Sequence, residues 1–97
     1  MRLACVVLAL VLAPLGVATS GAWEERAPMP LPRTEVAAAT VGSEIMVLGG
    51  FTGDRGASKR ADAYAPARNS WRRLPDLPVG LHHTTAVGAG GKLYVLG

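Results

Sequence analysis

Cysteine is scarce in this sequence: of 97 residues only Cys5 is one, and none follows it. From residue 23 onward a disulfide, a thiol nucleophile and a cysteine metal ligand are therefore excluded. Aromatics are few, with two Trp, two Tyr and one Phe, and the two histidines are adjacent at His82 and His83. The basic residues are scattered and not interleaved with stacking aromatics, so nothing points to nucleic acid. Without Arg2 there are nine Lys and Arg against seven Asp and Glu, a net charge of +2 and too small an excess to imply a polyanionic partner. No apolar run is long enough for a comfortable membrane span. The longest, Leu3 to Val17, has 15 residues and is interrupted by Pro14 and Gly16, whereas a span needs about 20.

That run has another use. Arg2 supplies a charge before it, and the small residues Thr19, Ser20, Gly21 and Ala22 follow it. This is the order of a secretory signal peptide, with Ser20 and Ala22 at the −3 and −1 positions. Residues 1–22 are expected to form a helical signal peptide cleaved after Ala22, leading to a secreted or periplasmic protein that meets the membrane only during export. Cys5 is then one small apolar residue of the signal helix.

What the rest of the chain does have is a repeat. Residues 23–49 align without a gap on residues 71–97 at an offset of 48, pairing Trp23 with Trp71, Pro30 with Pro78, Gly42 with Gly90, Leu48 with Leu96 and Gly49 with Gly97. A fixed period of this size marks an array of supersecondary units, none of which buries its apolar faces alone. Within the period, Glu35 to Val41 reads as a strand of small side chains, Gly42-Ser43 as a tight turn, and Glu44 to Gly49 as a strand apolar on both faces. Asp62 to Ala65 and Ser70 to Leu74 are the third and fourth strands, separated by a turn over Pro66 to Asn69. Leu81 to Val87 and Lys92 to Leu96 repeat the first two. Gly49 and Gly50 end the second strand where a positive φ or a close backbone approach is expected.

Four short antiparallel strands per period of about 50 residues is the arithmetic of a propeller blade. An open β-sandwich would also give short strands, but it has no reason to repeat Trp, Pro and Gly at a fixed offset. The motifs Pro32-Arg33, Gly49-Gly50, Tyr64, Pro66, Asn69, Trp71 and Leu77-Pro78 together resemble the kelch-repeat family. The expected fold is all-β: about one and a half four-stranded antiparallel kelch-type β-propeller blades behind the signal helix. A closing outer strand is expected at 23–26, a first repeat at about 33–74 and an incomplete second repeat at about 75–97, with further blades of the same propeller expected beyond them. Gly80-Leu81 stands in the second copy where Pro32-Arg33 stands in the first.

The resemblance implies scaffold roles for Gly49, Gly50, Tyr64 and Trp71, with Trp71 filling space between blades and Tyr64 finding a partner for its hydroxyl. It also implies that Trp23 supplies the outer strand of the last blade. An exposed aromatic platform for sugar is the competing reading of these aromatics. Candidate ligand-binding residues are Arg55, in the polar Phe51 to Arg60 loop, and the histidines His82 and His83. Each has a plainer alternative as a solvated loop residue or a structural histidine. Placed on a strand, the two histidines would point to opposite faces and could not share one metal ion. No cofactor is evident and no metal-ligand set is predicted.

Two functional expectations follow from the resemblance. One is an exported binding or interaction scaffold for glycan or protein ligands. The other is an extracytoplasmic carbohydrate-active enzyme of kelch architecture, of the galactose oxidase-type copper oxidase or sialic acid mutarotase kind, with its active site in other blades. The Tyr-Cys cross-link of the oxidase kind would need a cysteine that residues 23–97 do not contain.

Overall fold

The computed structural model describes residues 21–53 and 56–97; apart from Gly21 and Ala22, the expected signal peptide lies outside them, as do Asp54 and Arg55. Six strands are present: β1 Ala37–Val41, β2 Glu44–Leu48, β3 Ala61–Ala65, β4 Ser70–Arg73, β5 Thr85–Ala89 and β6 Lys92–Leu96. Strands β1-β2-β3-β4 form one antiparallel sheet in chain order, and β5-β6 form a second, two-stranded sheet. No helix occurs among the described residues, and none of them forms a helix long and apolar enough to cross a membrane.

Turn chemistry sets the register. Gly42 at φ 62° is the first residue of the two-residue β1–β2 turn, opposite the Val41↔Glu44 pair. In the β5–β6 hairpin the repeat puts Gly90 and Gly91 at φ 57° and 77°, the left-handed pair that matches strand twist in a two-residue hairpin. Asn69, at φ 48°, closes the β3–β4 turn, a backbone state Asn tolerates better than most side chains.

Two expected strand starts are corrected. Glu35 and His83, equivalent positions of the repeat, stand at φ 55° and 52°. Left-handed backbone interrupts an extended chain, so β1 begins at Ala37 and β5 at Thr85, and His82 and His83 lie on the connection before β5, not on a strand. Residues 23–26 pair with no strand among the described residues, and Trp23 is 99% exposed.

Between the sheets lies the core. Ala37, Leu48 and Ala61 are buried, with Leu74, Leu77, Ala86, Leu93 and Val95 packed against them. Full burial of one such leucine contributes about 2–3 kcal/mol. Small residues allow the inner strands to approach: a side chain at Gly88 of β5 would run into the Thr40 carbonyl of β1. Leu48 is 0% exposed because β3 covers β2, whereas its repeat equivalent Leu96 is 61% exposed on β6, which pairs only with β5.

Candidate functional face at one end of the blade

Antiparallel order puts the turns at 42–43 and 66–69 at one end of the sheet. The connections leading into β1, linking β2 to β3, and linking β4 to β5 gather at the other. Backbone hydrogen bonds weave these three together. Thr34 and Phe51 exchange amide bonds of 3.1 and 2.8 Å, the Ser58 amide donates to Gly50 O at 2.7 Å, the Leu77 amide to Lys59 O at 2.8 Å, and the Leu81 amide to Ser58 O at 3.2 Å. The Gly50 amide in turn donates to Leu81 O at 2.8 Å, which ties the second repeat to the first.

Both glycines carry this junction. Gly49 and Gly50 have φ of 67° and 90°. A Cβ on Gly49 would stand 2.5 Å from Leu81 O, and one on Gly50 would strike Thr34 O and come within 2.8 Å of Val36. Close approach and positive φ thus coincide at Gly49 and Gly50, as expected.

Beneath the junction lies an ion cluster absent from the sequence reading. Arg33 donates Nε to Gly49 O at 2.8 Å and a terminal nitrogen to Asp62 Oδ2 at 3.2 Å, with longer bonds to Leu31 O and Val47 O. Asp62 is wholly buried, and Arg60 donates to both its oxygens. Hydrogen bonding to Asp62, the largest cause, holds the Arg60 guanidinium further toward its charged form. A buried carboxylate survives only when paired and hydrogen-bonded, and here two guanidinium groups meet that need. The signal for Arg33 was its place in the Pro32-Arg33 motif. Asp62, 29 residues away, had no sequence signal.

Over the junction sit the histidines. His82 and His83 are exposed, and their Nδ1 atoms are 2.7 Å apart. The sequence expectation that they point to opposite faces is therefore overturned, because left-handed His83 turns its ring back toward its neighbour. His83 Nε2 lies 2.9 Å from Glu35 Oε2, and the His83 amide donates to Glu35 O at 3.4 Å. Phe51 packs its ring on His82 with centroids 4.4 Å apart. Glu35 was not singled out in the sequence, although its alignment with His83 at the repeat offset marked a shared backbone position. Arg55 lies outside the described residues.

The aromatic pair occupies the outer strands instead. Tyr64 of β3 and Trp71 of β4 are cross-strand partners with ring centroids 5.0 Å apart. The Tyr64 hydroxyl donates to Asn69 Oδ1 at 2.7 Å and accepts from Arg26 Nε at 3.1 Å, while Trp71 Nε1 donates to Ala27 O at 2.8 Å. The Ala27 amide also donates to Asn69 Oδ1. The segment following Trp23 is thereby fastened to the outer edge of the first blade. At the turn end, hydrogen bonds from Arg72 hold the Glu44 carboxyl below the usual carboxylate range.

A four-stranded blade, a two-stranded hairpin repeating its first two strands at an offset of 48, and glycine-closed connections gathered at one end together define a propeller architecture. The chain belongs to the kelch-repeat proteins: a family profile described as the Kelch motif matches residues 32–78. F-box/kelch-repeat protein SKIP30 of Arabidopsis thaliana is 36% identical over 76 residues, covering 76% of this chain and 21% of that protein. Kelch-like protein terF of Aspergillus terreus is 38% identical over 74 residues, covering 72% of this chain and 16% of its own length. The solved structure of YjhT superposes with a TM-score of 0.71 at 26% identity, covering 81% of this chain and 25% of that one. The chain thus spans a quarter or less of the proteins it matches.

Proposed function

We propose that this segment contributes to an exported interaction scaffold whose recognition surface is the end of the blade where the three connections meet. The observation that carries this reading is the contrast between the layers of that end. A rigid base of buried Arg33, Asp62, Gly49 and Gly50 supports exposed Glu35, His82 and His83, which the core does not need. Recognition groups mounted on loops over a fixed scaffold are the usual arrangement of binding surfaces. Glycans and extracytoplasmic proteins are the ligand classes, and polar exposed side chains beside the partly buried Phe51 suit either. Export rests on the amino-terminal pattern of charge, apolar run and small residues.

Two measurements test the proposal. Mass spectrometry of exported protein is expected to find Trp23 at the mature amino terminus; an intact Met1 would remove the case for export. Arrays of glycans and secreted proteins probed with full-length protein should yield a ligand that Arg55→Ala or His82→Ala weakens. Unaltered binding in both variants would move the site to other blades.

A further inference from the structure

We propose that His82 and His83 form a bidentate imidazole site for a first-row divalent cation of the Zn2+ or Cu2+ kind, with Glu35 as the carboxylate that orients it. The two Nδ1 atoms face each other at 2.7 Å, a separation at which at most one of them carries a proton, so at least one presents a lone pair to the other. Glu35 decides which. Its Oε2 lies 2.9 Å from His83 Nε2, an acceptor that calls for N–H at that nitrogen, and in the neutral ring this leaves Nδ1 as the lone-pair atom.

The arrangement reproduces the carboxylate–histidine–metal relay, in which the far ring nitrogen of a ligand is held by a carboxylate that fixes tautomer and orientation. His82 is exposed, so moving its proton from Nδ1 to Nε2, where water accepts it, costs no buried hydrogen bond. Both lone pairs then point into the gap between the rings, and a shared tetrahedral ion needs each ring turned by roughly 35° so that they meet beside the line joining the two nitrogens. Bonds of about 2.0–2.1 Å to zinc put its two ligand nitrogens roughly 3.3 Å apart, so the rings open by about half an ångström as they turn. Both side chains are exposed and can do so without disturbing the core. Phe51 against one face of His82 and Glu35 on His83 restrict the remaining rotation.

Ligand chemistry narrows the cation. Neutral imidazole suits Zn2+, Cu2+ and Ni2+, whereas Mg2+ and Ca2+ take oxygen donors. Glu35 sits on the outer side of His83 and is no direct ligand, and no group of three His, Cys, Asp or Glu placed to hold a metal occurs among the described residues. The remaining coordination positions therefore belong to water or to a donor atom of a bound partner.

The test uses full-length protein, titrated with Zn2+ by calorimetry and with Cu2+ under electron paramagnetic resonance. One Zn2+ per chain is expected, with affinity falling tenfold or more in His82→Ala and equally in His83→Asn, and little further in the double variant, because a chelate is lost with either arm. Asn is chosen at 83 because it accepts the left-handed backbone. Glu35→Gln should weaken binding by about tenfold while both ligands remain, the scale of an orienting partner. The Cu2+ signal should show two equatorial nitrogens in the native protein and one in either single variant. Unchanged thermal midpoints are expected in all variants. Zn2+ affinity that survives His82→Ala, or histidine losses that add independently, would overturn the proposal.

Discussion

Arg33 and Asp62, 29 residues apart in sequence, form an ion pair whose two side chains are both fully buried, with Arg60 closing on the same carboxylate from the surface. The pair joins the connection before β1 to the start of β3, and Arg33 also bonds Gly49 O. It holds the base of the loop end.

Removing Arg33 leaves the buried Asp62 carboxylate with Arg60 as its one cationic partner. Arg33→Met should destabilise the full-length protein by about 3 kcal/mol, the lower part of the range for broken buried pairs because Arg60 still serves Asp62. Pairing it with Asp62→Leu should recover part of that loss, since a well-packed apolar replacement removes the stranded charge. Denaturant midpoints of the two variants check this: a double variant less stable than the single would contradict it.

Gly50→Val should destabilise by several kcal/mol, combining positive φ with collision against Thr34 and Val36. Gly42→Ala is the control. It shares a positive φ of 62° but would place its Cβ in open space, so only the backbone cost of about 1 kcal/mol remains. Equal thermal shifts in the two variants would show that close approach does not matter at Gly50.

Trp71 is half-buried, so Trp71→Ala should cost about 3 kcal/mol, the lower end for truncating an aromatic. Trp71→Phe keeps most of the ring contact with Tyr64 and loses the bond to Ala27 O, for about 1 kcal/mol. Hydrogen exchange should quicken in either variant at the Ala27 amide, which donates to Asn69 Oδ1 and belongs to the residue whose carbonyl Trp71 holds. Protection there that is unaffected by Trp71→Ala would refute the fastening role.

Glu44 predicts a pH effect of known sign. Its folded-state pKa is depressed, chiefly by the hydrogen bond from Arg72, so its contribution to stability is present above the ordinary carboxylate range and lost as pH falls through the folded value. Carboxyl resonances followed by NMR should show the Glu44 midpoint rising toward that range in Arg72→Ala. An unmoved midpoint would mean the pair does not persist in solution.

The architecture was legible because Trp, Pro and Gly recur at an offset of 48 and because the motif residues Gly49-Gly50, Tyr64 and Trp71 each answer one local demand: a close approach or an outer-strand aromatic pair. Gly50, at positive φ with no room for a side chain, and the Tyr64 hydroxyl, bonded to Asn69, match what the resemblance implied. The histidines did not behave as expected, because one left-handed residue at 83 converts a strand's alternation into a converging pair, and nothing in a run of His-His-Thr-Thr announces positive φ. The Arg33–Asp62 pair was equally silent, since it depends on which connections the topology brings together.

That recognition and folding use different residues of the same loop end is tested most directly by measuring ligand affinity and denaturant midpoint on one set of full-length variants: His82→Ala, Arg55→Ala and Gly50→Val. The predicted result is a split, with affinity for an array-identified ligand reduced in the first two at an unchanged midpoint, and the midpoint lowered in the third. Full affinity in both His82→Ala and Arg55→Ala, with the ligand still bound, would contradict it.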